Sequence, residues 1–351
     1  MCKTREPPFS LRCPRYARAV ITLEALDASA QVSVVMAVRD EESHIEAAVR
    51  SVLDNGFTPG VQAIVAVGPS RDRTRALLDA LAQGDRRITV VDNPHGGTPQ
   101  GLNVALAHAD TDVVVRMDGH SVLPVGYIAS AVRTLTETGA ANVGGRMAPE
   151  AQEPWPRAVA VAMRSAWGIG GASHRIGGTA GPADSVFLGA FRRAAIMDVG
   201  GFDEHFVRAQ DWELNLRLRE AGYTVWFEPQ MHVAYHPRAS WRALARQFYR
   251  SGQWRREVGR KHHMRPNVRY LAPPAVVVAV SVGAVLGTTG IVLGAPWLVL
   301  GWIAPAGYVA GVLVATLSLL PQAGRTAGAR LPAVLITMHV AWGAGFLRGV
   351  R

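Results

Sequence analysis

Cysteine is nearly absent from this 351-residue chain. Cys2 and Cys13 are its two, both in the N-terminal tail, so neither a disulfide framework nor a cysteine metal site can be built. The tail has early basic residues but no continuous apolar stretch before Glu24. Residues 1–30 therefore read as a poorly ordered extension and not as a signal peptide. No G-x-G-x-x-G follows the first strand-like run, where a dinucleotide-binding fold needs it, and the later GIGGASHRIGG lacks a strand-turn-helix context. Repeats of fixed period are missing too.

Charge is also missing from one block. From Leu271 to Leu320 there is no Asp, Glu, Lys, Arg or His, whereas both signs are interspersed through residues 31–265. A soluble domain followed by a membrane domain is the expectation. Ala275–Gly294 and Trp297–Leu320 are each long enough to span, with Gly294, Ala295 and Pro296 as the break, which predicts a transmembrane hairpin over 271–320. Leu331–Leu347 is marginal in length, contains His339 and is followed by Arg348 and Arg351. It is expected to lie at the interface, with both termini and the catalytic domain cytoplasmic.

The formal net charge is +10. Ten basic residues between Arg238 and Arg269, directly before the apolar block, locate that excess at a membrane surface. Membrane lipid, not nucleic acid, is the expected partner, and residues 238–270 read as a basic amphipathic juxtamembrane segment.

Over residues 31–237 strand-like and helix-like segments alternate: Val32–Val38, Glu41–Leu53, Val61–Val67, Arg71–Leu81, Ile88–Val91, Gln100–Ala109 and Val113–Met117. Such alternation implies a parallel α/β sheet with ligands at the carboxyl ends of its strands. At one such end VVVRMDGHS places Asp118 and His120 so that an oxygen and a nitrogen ligand can converge on Mg²⁺ or Mn²⁺. Taken alone, the pattern is also that of an ordinary turn. Downstream, Gly200 and Gly201 lead into a helix from about Gln210 and a strand from about Val225. Asp211 falls in that helix's first turn, either as a dipole charge or as a general base.

MAVRDEE, RMDGHS, SVFLGAFRR, GGFDE, QDWELNLRLREAGY and RQFYRSGQWRR stand in the order and spacing of the family 2 glycosyltransferases. The chain resembles their membrane-anchored exopolysaccharide (succinoglycan-type) branch over roughly residues 31–265, and HVAWGAGFLRG in the tail is also similar. That resemblance implies a GT-A fold, a Rossmann-like mixed sheet with helices on both faces, and an inverting single displacement from a nucleotide-sugar donor. Arg39, Glu41 and Asp72 would then lie beside the nucleotide. Asp118 would bind metal and ribose-diphosphate, and Asp211 would be the base. Asp184, Gln247, Trp254 and Arg255 would face the diphosphate and a lipid-linked glycan acceptor.

Three departures qualify the match. Ala66 and Val67 stand where a carboxylate usually precedes Gly68, which puts uridine specificity in doubt. His120 holds the second D-x-D position, and Gln210 replaces an acidic neighbour of Asp211. A polyprenyl-phosphate glycosyltransferase and a degenerate membrane scaffold are the rival readings. His236 reads as an ordinary histidine before a metal ligand.

Overall fold

The computed structural model describes residues 29–170, 177–264 and 268–350, together with Ile21, Leu23 and residues 25–27. Cys2, Cys13, most of the expected N-terminal extension, residues 171–176 of the glycine stretch and Arg265 lie outside the described residues.

The first half runs β1 (Val32–Val38), α1 (Ile45–Leu53), β2 (Val61–Val67), α2 (Thr74–Gly84), β3 (Ile88–Asp92), α3 (Thr98–Ala107), β4 (Val113–Asp118), α4 (Tyr127–Thr138) and β5 (Asn142–Pro149). There follow α5 (Pro154–Met163), α6 (Ala166–Ile169), β6 (Gly181–Pro182), β7 (Phe187–Arg192), α7 (Arg193–Asp198), α8 (Gln210–Glu220) and β8 (Val225–Tyr235). One sheet takes these strands in the order β3-β2-β1-β4-β7-β5-β8-β6. β1 pairs in parallel with β2 and β4, but β7 runs antiparallel to β4 and β5. The sheet is therefore mixed, because β7 enters between two strands that precede it in the chain.

Strand alternation divides the core. Val34 and Met36 of β1 face α1 and α4, whereas Val35 faces Leu102 and Leu106 of α3 and Leu214 and Leu218 of α8. On β4, Val113, Val115 and Met117 take the first face and Val114 the second. Arg116 and Asp118 consequently fall on the α3 and α8 side.

Beyond the sheet, α9 (Trp241–Lys261) buries Leu244, Phe248 and Val258 and exposes Arg242, Arg246 and Arg250 at four-residue spacing. Then come α10 (Val268–Leu293), α11 (Pro296–Val299), a 3-10 turn at Leu300–Trp302, α12 (Ile303–Gly328) and α13 (Leu331–Arg348). Gly294, at φ 63°, and Pro296 make the break between the first two apolar segments, and Gly324 interrupts α12 with non-helical backbone. Three segments, of 25, 33 and 18 residues, are long and apolar enough to cross a bilayer. Val285, Ile291, Val292 and Leu317 point outward, an apolar surface of a kind that monomers in water seldom expose.

The two halves share a third core. Ala158, Val159 and Ala162 of α5 pack with Phe248 of α9, Val312 and Leu319 of α12, and Val334 and Met338 of α13.

Candidate active site

β4 lies between β1 and β7, and the strand order reverses direction at the β1/β4 pair. In an open α/β sheet that is where ligands collect, at the carboxyl ends. Ala37 of β1 is register partner to Asp118, so the loop bearing Arg39 and Glu41 emerges beside the end of β4. Gly119 permits the approach: a Cβ there would lie 2.6 Å from Val38 Cγ1 and 3.3 Å from Glu41 Cγ. His120 is thereby brought against Glu41, its Nδ1 3.0 Å from Glu41 Oε1.

This bond raises the His120 pKa, with Asp118 adding to the effect and burial opposing it. It also turns the ring so that Nδ1–H donates to the carboxylate and Nε2 is left for a ligand, the arrangement in which a neighbouring carboxylate orients a metal-binding histidine. Asp118 and His120 thus fit a divalent ion as a two-residue donor set. Among the described residues no group of three or more His, Cys, Asp or Glu gathers for a metal. Two protein ligands suffice where substrate phosphates complete the shell, as is usual for Mg²⁺.

The sequence reading missed Arg116. Its guanidinium forks onto Asp118, with Nη2 2.7 Å from Oδ1 and Nη1 3.2 Å from Oδ2, and its Nε stands 3.5 Å from Oδ1 of Asp211. Only 5% of Arg116 is exposed. Burial disfavours its charge, but Asp118 and Asp211 outweigh that and raise its pKa. An arginine inside an otherwise apolar strand, two residues before an aspartate on the same face, was the available signal. Its second partner was not legible, because it arrives on a helix nearly a hundred residues later.

Asp211 sits in the first turn of α8, just after Ala209 at φ 62°. Enclosure by protein raises its pKa, Arg116 draws it down and Asp118 raises it again. The side chain still has 35% of its surface open, and it lines a cavity. The preceding loop is fixed to α3: Asn103 Oδ1 accepts from Phe202 N at 2.9 Å, and its Nδ2 donates to Phe202 O at 2.8 Å. Gly201, at φ 69°, is required there, since a Cβ would lie 2.8 Å from Asn103 Oδ1.

The cavity, of about 1340 Å³, is lined by Arg116, Asp118, Asp184, Asp211, Gln247, Trp254 and Arg255 among others. Asp184 pairs loosely with Arg219 at 3.6 Å, Gln247 Nε2 donates to Tyr235 Oη at 2.9 Å, and Trp254 meets His205 and Phe206 edge-on. Arg255 lies 3.9 Å over the Trp212 ring and 4.8 Å over Tyr270. Arg39, Glu41, Asp72 and His120 stand outside the lining, on the loops after β1, β2 and β4. Asp72 accepts from Thr74 Oγ1 at 2.6 Å and from the backbone N–H of Thr74 and Glu42 at 3.0 Å, bonds that lower its pKa. It ties the loops after β1 and β2 together. His236 is exposed and outside the cavity.

Residues 33–200 match the profile of Glycosyl transferase family 2. The succinoglycan biosynthesis protein ExoA of Rhizobium meliloti (strain 1021) is 31% identical over 320 residues, 90% of this chain and 93% of that protein. This chain belongs to the family 2 glycosyltransferases. A second relative of the glycosyltransferase is the pre-mycofactocin glycosyltransferase of Mycobacterium tuberculosis (strain CDC 1551 / Oshkosh), 28% identical over 63% of this chain and 46% of that protein. The solved structure of mannosyltransferase PcManGT from Pyrobaculum calidifontis, in complex with GDP-Man and Mn2+, has TM-score 0.57 at 18% identity over 92% of this chain and 90% of that one. That likeness shows the GT-A fold. At the end of β2 the glycosyltransferase buries Ala66 and Val67, so no carboxylate precedes Gly68.

Proposed function

We propose that this glycosyltransferase carries out inverting transfer of a sugar from a nucleotide-diphosphate donor to a hydroxyl of a lipid-linked or growing glycan. The work is assigned to the cytoplasmic face of the cell membrane, in exopolysaccharide or cell-surface glycan synthesis. The observation that carries the reading is the meeting of Asp118 and Asp211 across one buried arginine, at the strand end where this fold binds ligands. The name of the R. meliloti relative points to an exopolysaccharide, and the apolar helices point to a membrane.

Residues 31–237 form the catalytic domain in this reading, and 238–270 the basic segment at the membrane surface. Asp211 takes the proton of the acceptor hydroxyl as that oxygen bonds to the anomeric carbon. The bond from that carbon to the donor diphosphate breaks on the opposite side, and its electron pair leaves on the nucleoside diphosphate. Enclosure makes Asp211 more basic than a surface carboxylate, and Arg116 opposes that rise. Asp118 and His120 would hold Mg²⁺ or Mn²⁺, which when bound supplies a Lewis acid for the charge on the leaving diphosphate. Glu41 orients His120, Arg39 and Asp72 flank the nucleoside, and Asp184, Gln247, Trp254 and Arg255 line the acceptor and diphosphate side.

A screen of UDP-, GDP- and dTDP-sugars with and without Mn²⁺, read as nucleotide release, tests this. Release from none of them would leave the scaffold reading, which Gln210, Ala66 and Val67 motivate. The second enzyme reading, transfer to a polyprenyl phosphate, is favoured by Arg255 and Arg269 in the cavity wall. A phosphate acceptor needs no base, so full activity of Asp211→Asn would select it.

A further inference from the structure

The cavity does not end at the carboxylates. Its wall passes Arg255, Arg269 and Tyr270 and continues along Pro273 and Val276 of α10 and Gly307, Gly311 and Ala315 of α12. Positions 307, 311 and 315 recur every four residues, and 273 and 276 every three, so each set forms one face of its helix. At about 1340 Å³ the space exceeds the ~1,000 Å³ upper end of a small-molecule pocket. A second molecule can share it with the donor.

The glycines of the two membrane helices differ in what they face. On α10, a Cβ at Gly283, Gly287 or Gly290 would lie 2.3–2.6 Å from Gly301 O, the Trp302 ring or Val299 N, so those glycines serve helix packing. On α12, a Cβ at Gly307 or Gly311 would meet nothing within 4 Å. No described neighbour requires these two residues to be small, yet they line the open groove. Tyr308 and His339, also in the wall, bond to each other at 3.2 Å, and His339 Nε2 donates to Trp167 O at 2.7 Å. That pair joins α12, α13 and α6 and spends its polar atoms on the protein. The cationic positions between groove and carboxylates are Arg269, 5.0 Å over the Tyr270 ring, and Arg255 on its other neighbour Trp212.

We propose that the groove between α10 and α12 holds the hydrocarbon chain of the acceptor, a long-chain lipid phosphate or diphosphate whose glycosyl end reaches Asp211. The order of surfaces along one cavity selects that chemistry: carboxylates, then arginines over aromatic rings, then a glycine-lined apolar wall. A bulk phospholipid would not place a sugar hydroxyl at the base, and a free sugar would leave the glycine wall bare. The inference rests on the proposed glycosyl transfer and deepens it.

The test uses full-length protein in nanodiscs of zwitterionic lipid, with farnesyl diphosphate bearing a terminal diazirine as the probe. Photolabelling is expected within Pro273–Val276 and Gly307–Ala315. Gly307→Leu and Gly311→Leu should each lower it by about tenfold, the scale set by added methylenes in a fitted pocket. At neither position does an added Cβ come within 4 Å of a described protein atom, and Val309→Leu on the exposed side of α12 should change nothing. Arg269→Gln should weaken labelling by the diphosphate probe but not by the matching diazirine alcohol. Labelling spread evenly over the outward helix faces, or undiminished by both leucines, overturns the proposal in favour of bulk lipid. Loss of labelling with excess UDP or GDP but not with farnesyl diphosphate also overturns it, since the arginines would then serve the donor alone. Nucleotide release from donor sugars in the same nanodiscs reads the transfer reading separately.

Discussion

Replacing Arg116 by methionine keeps the length of the side chain and removes the one charge that Asp118 and Asp211 share. The guanidinium is 5% exposed and reaches Asp118 at 2.7 Å and Asp211 at 3.5 Å. Removing one partner from a fully buried pair costs about 3–5 kcal/mol, because the remaining charge stays uncompensated. Here the two carboxylates are 27% and 35% open toward the cavity, which places the expected loss near the lower end, about 3 kcal/mol at pH 8. The loss must depend on pH. Without Arg116, burial and Asp118 both push the Asp211 pKa further above its unfolded value. A carboxyl with a raised folded pKa contributes stability that is full below the unfolded pKa and lost as pH rises through the folded one. At pH 5 the variant relieves the repulsion by binding a proton, and at least about 1 kcal/mol of the deficit should disappear. Urea unfolding of the full-length protein in detergent, extrapolated linearly at the two pH values, measures both quantities. A deficit below about 1 kcal/mol at pH 8, or one equal at both pH values, refutes the shared-cation argument. Arg116→Lys should restore part of the loss, since an ammonium keeps the charge but not the fork.

Asp118→Ala should abolish the Mn²⁺-dependent part of donor binding, measured by calorimetry with and without the ion; unchanged affinity would sink the metal role. Asp211→Asn should keep donor affinity and lower turnover by about 10² or more, the scale of a lost general base. A weakened donor complex with normal turnover would contradict that. Glu257, whose pKa is lowered first by its bond to Arg260 and also by His205, stabilises the fold above its unfolded pKa and loses that as pH falls through the folded one. Glu257→Gln should therefore cost stability at pH 7 and converge on the wild type once the pH falls below the lowered folded pKa, as urea midpoints would show. Alkaline phosphatase fused after the last residue should remain inactive if α13 lies at the interface with the C-terminus cytoplasmic. Strong activity would mean three full crossings.

Much of the fold was legible because it is local. Continuous apolar runs placed β1, β2 and β4, the paired glycines placed the start of α8 near Gln210, and the charge-free block placed α10 and α12. Where elements shifted, a local turn that takes up backbone bonds explains it. α2 starts at Thr74 and not Arg71 because Asp72 holds Thr74 N in a turn, and α1 starts at Ile45 because Glu41–His44 close a turn first. The antiparallel insertion of β7 was hidden, since strand order depends on pairings between distant segments. The same limit hid the second partner of Arg116. Asp118 and Asp211 were legible as candidates one at a time, but the arginine between them is a tertiary fact.

The position of the expected base relative to the membrane follows from α9. Glu213 on α8 is fully buried and accepts from Arg217 at 2.7 Å and from His262, just past the end of α9, at 2.9 Å. Glu257 of α9 takes His205 at 3.0 Å and Arg260 at 2.7 Å, while Lys261 pairs with Asp203. The loop and helix that carry Asp211 are thus fastened to one end of α9. Along the rest of that helix α13 approaches backbone to backbone: a Cβ at Gly345 would lie 1.9 Å from Tyr249 O, and one at Gly252 2.1 Å from Trp342 O. No side chain fits between them, so the two helices share one depth. The other face of α9 exposes Arg242, Arg246 and Arg250, each of which would gain about 1 kcal/mol from anionic lipid at headgroup level. A helix of 18 residues is about 27 Å long, the short end of what crosses a ~30 Å hydrocarbon core, and its packing on α9 is what the interfacial placement rests on. With α13 in the proposed interfacial position, α9 would transmit that depth to Asp211. The distance from the bilayer surface to the expected base is then set by packed helices and not by a flexible linker.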